Sequence, residues 1–439
     1  MTRHRFLSQI DDAEIVRPYG FIRKVAQGHF EATGPACTVG DLCEIGGEGA
    51  PVLAEVAAVD ETGLILVPLE QERPVHPGAR VFALPRGGGV AVGEGFAGRA
   101  VDALGRPFDG GLPIAADATV ALAGSVPRPL DRAAPQRRVV TGMRAIDGLL
   151  TLGEGQRIGI FAASGVGKTS LLEQLAAQIE CDRCVICLVG ERGREVEGIW
   201  THLSARSDAS KFTLVAATSD ETAALRARAA NTALCLAEYW RDRGEHVLLV
   251  VDSVTRLAMA LREIGLAAGE PPTVRAYTPN VFGALPRLVE RCGATRSAGS
   301  ITAIMTVLSE TDDVDDPIVE VMKSLLDGHI ILSRSLAERG HFPAIDVSRS
   351  ISRQAAKLVD KPHAAAARTA IALLGVHEEA RVMIESGVYK SGASPEIDRA
   401  IVARTALMGF LQQGQDEAIP FDRTVAALRT AIPPEARHA

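Results

Sequence analysis

The chain has 439 residues, of which 47% are hydrophobic, 23% charged and 4% aromatic, with a formal net charge of −7. That length exceeds one ordinary domain, and the acidic balance argues against a dedicated nucleic-acid binder, which would neutralise phosphates with Lys and Arg. No apolar run reaches the roughly 20 residues that span a bilayer, and the opening MTRHRFLSQIDDAEIVRPYGF lacks the apolar core of a signal peptide, so a cytoplasmic location is expected.

Residues 1–24 read as an N-terminal extension, within which Arg3–Ile15 fits either an amphipathic helix or a frayed terminus. From 25 to 95, short apolar stretches (CTVGDLCEI, PVLAEVAAV, GLILVPL, ARVFAL) alternate with Gly, Pro and charged residues, the rhythm of a small β-barrel or sandwich. From 96 to 355 the pattern becomes α/β, with apolar runs separated by longer amphipathic segments, as in a parallel sheet covered by helices. The predicted strands are RIGIF, CVICLVG, FTLVAAT, HVLLVVD, SITAIMTVLS and GHIILS. Residues 356–439 read as a C-terminal α-helical domain built from AAAARTAIALLG, EEARVMIES, PEIDRAIVARTALMGFLQQ and FDRTVAALRTAI. The seven cysteines are an odd number in a chain with no secretion signal, which suggests reduced thiols. Cys181, Cys184 and Cys187 invite a metal reading, but the apolar run VICLVG makes buried strand cysteines the better one.

The chemistry collects in the middle third. ASGVGKTS (Ala163, Ser164, Gly165, Val166, Gly167, Lys168, Thr169, Ser170) directly follows the strand RIGIF and opens a helix, which is the context a phosphate-binding loop requires. The two glycines let backbone N–H groups turn toward phosphates, Lys168 supplies charge to the outer ones, and the Thr169 hydroxyl can ligate magnesium. Ala162 occupies the first position of the pattern, where Gly is usual. HVLLVVD ends at Asp252, a second magnesium-binding position at the C-terminal edge of the sheet, although Asp in that place can equally cap the next helix. VGERGREVEG puts Glu191 at the same edge, either to polarise a water or as part of an exposed charged turn. The acidic stretch Asp312–Asp316 lacks calcium-loop spacing and reads as a solvated loop.

The order GVGKT, GER, LLVVD, PAIDVSRSISR resembles the catalytic family that contains rotary ATPase subunits and the bacterial flagellar and type III protein-export ATPases. GRAVDALGRPFDGG, TGMRAIDGLLTLGEGQRIGIF, EPPTVRAYTPNVFGALPRLVER and SLLDGHIILSRSLAERGHFPAID extend the likeness over about residues 96–355. The resemblance implies a RecA-like core that hydrolyses ATP with Mg2+. It makes Lys168 and Glu191 catalytic and Arg353 the arginine finger that reaches a neighbour's ATP. Arg256 would hold the γ-phosphate, and Arg192 would link Glu191 to the subunit interface. Phe342, where rotary catalytic subunits usually have Tyr, would stack on adenine, and Tyr389 in GVYKSG would close the other side of the base pocket. It further implies a homohexamer peripheral to an inner-membrane export apparatus, with a stator-like regulator, a central stalk protein, chaperones with their substrates, and the membrane export platform as partners. TGMRAIDGLLTLGEGQRIGIFAASGVGKTSLLEQL and RPYGFIRKV favour the export ATPases over a rotary synthase subunit. A hexameric RNA helicase shares the core and barrel, but the acidic charge and the lack of aromatic-basic clusters in the barrel count against it.

Overall fold

The computed structural model describes residues 17–46, 50–70, 74–84, 88–309 and 316–434. Arg3–Ile15 and most of Asp312–Asp316 lie outside these residues. Asp316 is within them, and its carboxylate accepts the Ile318 and Val319 N–H groups to cap the helix Pro317–Leu325. Among the described residues no helix is long and apolar enough to cross a membrane.

Six antiparallel strands form a closed barrel: β1 (Tyr19–Ala26), β2 (His29–Ala32), β3 (Leu42–Ile45), β4 (Val52–Asp60), β5 (Gly63–Pro68) and β6 (Arg80–Ala83), in the order β1-β2-β5-β4-β3-β6. Alternate residues such as Ile22, Phe30, Ile45, Val56, Leu66 and Val81 point inward and fill it, as the period-2 pattern requires. The barrel closes where Tyr19, Gly20 and Phe21 pair with Phe82, Val81 and Arg80. Its first strand therefore begins inside the segment read as an extension. RPYGFIRKV escaped the strand reading because only Gly20 and Ile22 of Tyr19–Lys24 are buried, and its outward face is aromatic and basic.

The α/β core is one twisted sheet. Its main strands in chain order are β7 (Ala100–Val101), β8 (Arg157–Ala162), β9 (Arg183–Glu191), β10 (Phe212–Thr218), β11 (His246–Asp252), β12 (Ser300–Leu308), β13 (Gly328–Ile331) and the edge strand β14 (Ile351–Ser352). In space they run β14-β13-β8-β12-β11-β9-β10-β7, parallel throughout except β14. The central strands are buried on both faces, which explains their unbroken Val, Ile and Leu runs. Cys184 and Cys187 belong to the cores on opposite faces of β9. One core is covered by the Ala-rich helix Ala223–Arg241, whose small side chains let it lie close to the sheet.

The C-terminal unit packs three helices, α1 (Lys361–Glu385), α2 (Pro395–Leu411) and α3 (Phe421–Ala431), onto the second face of the core. The two segments read from the sequence as AAAARTAIALLG and EEARVMIES form the single helix α1. Gly375 does not break it. Its penalty of about 1 kcal/mol is outweighed by apolar packing of Ala370, Leu373 and Leu374 in the same core as Ala400, Ala403 and Leu407.

Candidate active site

The C-terminal ends of β8, β11 and β9 bring the predicted groups together. β8 ends at Ala162 and the chain turns through Gly165 (φ 81°) and Gly167 (φ 87°) before a helix starts at Lys168. A non-glycine residue at such φ costs roughly 1–2 kcal/mol, so these two glycines shape the loop. No side chain caps the Lys168–Gln178 helix, which leaves its first N–H groups to the loop's concave side. Thr169 lies in the first helical turn, and Ser164 is exposed at the loop's tip.

Lys168 Nζ forms a short ion pair with Asp252 Oδ1 and lies 3.7 Å from Glu191 Oε1. Asp252 is 3% exposed, and its Oδ1 also accepts the Thr306 hydroxyl at 2.6 Å. It does not cap the following helix. Ser253 does, accepting the Arg256 N–H at 3.3 Å, so the Asp252 carboxylate is left facing the loop. Thr306 comes from β12, which lies between the phosphate-loop strand and the Asp252 strand. Sequence reasoning missed it because nothing in SITAIMTVLS encodes which strands will flank it.

Glu191 is 5% exposed, which removes the exposed-turn alternative. Gly190 (φ 69°) is the reason for its aim: β9 bulges between Val189 and Glu191, and a bulge redirects the side chains that follow it. A Cβ at Gly190 would also lie 3.0 Å from Arg256 Cδ. Arg256 Nε comes within 3.1 Å of Glu191 Oε1 without hydrogen-bond alignment. Burial, and then the Asp252 carboxylate, push the Glu191 pKa up, with Lys168 and Arg256 partly offsetting them. Arg192 is exposed beside Glu195 at 3.8 Å and points away from this cluster.

Two carboxylates thus face two cations at the loop, and the four formal charges cancel. A bound triphosphate would add charge that only a further cation can balance. Thr169 hydroxyl and Asp252 carboxylate are the hard oxygen donors that Mg2+ takes.

Phe342 is 45% exposed, and its ring lies 3.3 Å from where a Gly167 Cβ would be. The ring borders a cavity of about 360 Å³ that runs from Gly167 and Ser170 to Gln413, Gly414 and Gln415 of the C-terminal unit. Tyr389 does not line that cavity. Its hydroxyl lies 3.0 Å from both Ser394 O and Asp398 Oδ1 at the start of α2, and the wall of the cavity beyond Phe342 is formed by residues 413–415. The carrier is Gln413, 7% exposed. Its N–H donates to Phe342 O (2.9 Å), its Nε2 to Gly142 O (2.7 Å) and Glu417 O (2.8 Å), and its Oε1 accepts Arg144 N–H (2.9 Å). One Gln among the three of QQGQ after a helix carries no sequence signal for this.

Arg353 is exposed and far from this cluster. Ser352 pairs with Gly328, and Gly328 is level with Ile158, near the start of β8. At about 3.3 Å per residue, Arg353 lies most of a strand length from the end of β8 that feeds its own phosphate loop.

A parallel sheet with a phosphate loop, a strand-end aspartate and a buried glutamate on the neighbouring strand defines a RecA-like P-loop ATPase. Residues 142–352 match the ATP synthase alpha/beta family, nucleotide-binding domain, and residues 359–430 match the T3SS EscN ATPase C-terminal domain. The chain is 43% identical over 431 residues to a flagellum-specific ATP synthase of Bacillus subtilis, covering 98% of each. It is 42% identical to a type 3 secretion system ATPase of Xanthomonas euvesicatoria, covering 94% of this chain and 93% of the relative. The assembled ATPase EscN of enteropathogenic E. coli superposes with a TM-score of 0.89 at 40% identity, covering 94% of this chain and all of that one. The chain belongs to the family of flagellar and type III secretion ATPases.

Proposed function

We propose that the chain hydrolyses Mg-ATP as a ring of six identical subunits and so energises flagellar or type III protein export. The observation that carries this reading is the position of Arg353: one chain holds every other group the reaction needs at one end of its sheet and presents the finger at the other. A site so built is completed by a second copy. The assembled form of the related EscN supports the ring.

In this reading the loop N–H groups of Gly165–Thr169 and the Lys168 ammonium hold the β- and γ-phosphates. Thr169 and Asp252 would hold Mg2+, which would supply positive charge to offset that of the phosphates. Nucleotide entry would draw Lys168 from its ion pair with Asp252 toward the γ-phosphate, leaving the Asp252 carboxylate as a hard oxygen donor. Glu191 is left with its charge facing Arg256, where it accepts the proton of the attacking water. Arg256 steadies Glu191 and approaches the γ-phosphate, and Arg353 of the adjacent copy stabilises the charge that develops in transfer, worth about 10³–10⁵ in rate. Adenine lies between Phe342 and the 413–415 loop, since a Phe ring keeps the stacking face that base binding needs. Arg192 links Glu191 to the subunit interface in this reading, which its exposure next to Glu191 supports.

A central stalk protein is a further proposed partner, supported by the related EscN solved with its central stalk EscO. The stator-like regulator, the chaperones with their substrates, and the membrane platform at which the ring works as a peripheral cytoplasmic protein follow from the same reading. The test is specific activity against protein concentration, with Glu191→Gln and Arg353→Ala alongside. Activity should rise with concentration as rings assemble, and both variants should lose it while staying folded. A chain that gains activity only with a second, homologous subunit would instead be a rotary synthase component.

A further inference from the structure

The strand that carries Arg353 is tied into the foot of the phosphate-loop strand. Ser352 Oγ donates to Thr151 O at 2.8 Å and accepts from Gln156 Nε2 at 3.0 Å. Gln156 is fully buried, and its Oε1 accepts the Gly153 N–H at 2.8 Å. The next residue, Arg157, is the first of β8. Asp327 grips it three ways, with Oδ2 accepting Arg157 N at 3.0 Å and Nε at 2.9 Å, and Oδ1 accepting Nη2 at 3.1 Å. The Asp327 carbonyl in turn accepts the Arg353 N–H at 3.1 Å, and the Asp327 N–H donates to Arg157 O at 2.8 Å. Glu290 holds the other side of the guanidinium at 2.9 Å and is itself paired with Arg132 at 2.7 Å.

Between these bonds there is no slack. Gly328 follows Asp327, and a Cβ there would lie 2.4 Å from Ile351 O and 3.1 Å from Ser352 Cα, so the finger's strand lies directly on the Gly328 backbone. The Arg353 guanidinium, by contrast, has among the described residues a single long hydrogen bond, from Nη2 to Lys323 O at 3.3 Å. The base of the finger is fixed and its head is held only weakly, which suits a group that must reach another molecule. A finger that works by electrostatics on a transferring phosphoryl group needs such a base, because a displacement of about 1 Å can cost roughly a hundredfold in rate.

We propose that Gln156, Ser352 and the Asp327–Arg157 pair are positioning residues for the arginine finger, a strut that fixes Arg353 for the neighbouring subunit from the foot of this subunit's own β8. The proposal rests on the reading of Arg353 as a finger acting in trans. It predicts that damage to the strut harms the neighbour's site and leaves the subunit's own site intact. Ser352→Ala removes only a hydroxyl, and Asp327→Asn keeps size while weakening the grip on Arg157, so the two probe the strut independently if one of them folds poorly.

The test uses full-length chains. Each strut variant, and Arg353→Ala as the reference, is assayed alone and then with an excess of Glu191→Gln chains, whose sites are dead and whose fingers are intact. Alone, the strut variants should show kcat lowered roughly tenfold or more, with KM for ATP and the concentration dependence of activity unchanged. In mixed rings their sites receive good fingers from Glu191→Gln neighbours, so activity per variant chain should recover as it does for Arg353→Ala. Unchanged kcat in both strut variants overturns the proposal, as does recovery of Arg353→Ala with no recovery of the strut variants, which would mean that the strut serves its own β8. If Arg353→Ala itself does not recover, the trans-acting finger has failed and the strut falls with it.

Discussion

Gln413→Ala tests whether the C-terminal unit completes the base pocket. The substitution deletes three side-chain hydrogen bonds, to Gly142 O, Glu417 O and Arg144 N, and leaves the backbone bond to Phe342 O. At about 1 kcal/mol apiece these are worth about 3 kcal/mol. With 1.4 kcal/mol per decade, the loss of ATP affinity is capped at about 150-fold. Part of that energy also stabilises the empty protein, so the expected rise in KM for ATP is about tenfold, with kcat within about twofold. The split follows from position: Glu191 and Asp252 stand at strand ends and Lys168 opens the helix after the phosphate loop, and the Gln413 side chain bonds instead to Gly142, Glu417 and Arg144. Steady-state ATPase kinetics at a protein concentration that saturates assembly, with thermal unfolding as the folding control, reads it directly. An unchanged KM in a folded variant would refute the 413–415 wall, and a fall in kcat alone would assign Gln413 to the chemistry instead.

Thr306→Val removes the hydroxyl donated to the buried Asp252 carboxylate. A hydrogen bond to a charged group is worth about 1.5–3 kcal/mol, so kcat/KM should fall roughly 10- to 100-fold and the Mg2+ concentration for half-maximal activity should rise; wild-type kinetics would contradict this. Glu191 serves as a base only when ionised, and burial with the Asp252 charge raises its pKa. The acid limb of the pH profile of kcat/KM should therefore have its midpoint above the ordinary glutamate range, with activity lost as pH falls through it, and a profile flat down to that range would refute the assignment. Tyr389→Ala, which removes the ring, should leave KM for ATP within about twofold in a folded variant, because Tyr389 does not line the cavity at Phe342 and its hydroxyl bonds to Ser394 and Asp398; a larger rise would return Tyr389 to the base pocket.

The sequence by itself determined what depends on neighbouring residues. Unbroken apolar runs became buried parallel strands, and the strand, the two positive-φ glycines and the helix of the phosphate loop follow one another within a dozen residues. The position of Asp252 and Glu191 at strand ends was legible in the same way, while the roles proposed for Arg353 and Phe342 come only from family resemblance, since a lone Arg or Phe has no local signature. Tertiary structure decided the rest. It inserted β12 between two functional strands and so supplied Thr306, lined the cavity at Phe342 with residues 413–415 and not Tyr389, made Tyr19 the start of the barrel, and joined two short helical readings across Gly375. It also set Arg353 at the far end of the sheet from its own loop. The physical reason is common to all of these. Periodicity and turn chemistry act over a few residues, whereas strand order, domain docking and the bonds of a buried Gln are fixed by contacts between segments tens to hundreds of residues apart, which a one-dimensional pattern does not record.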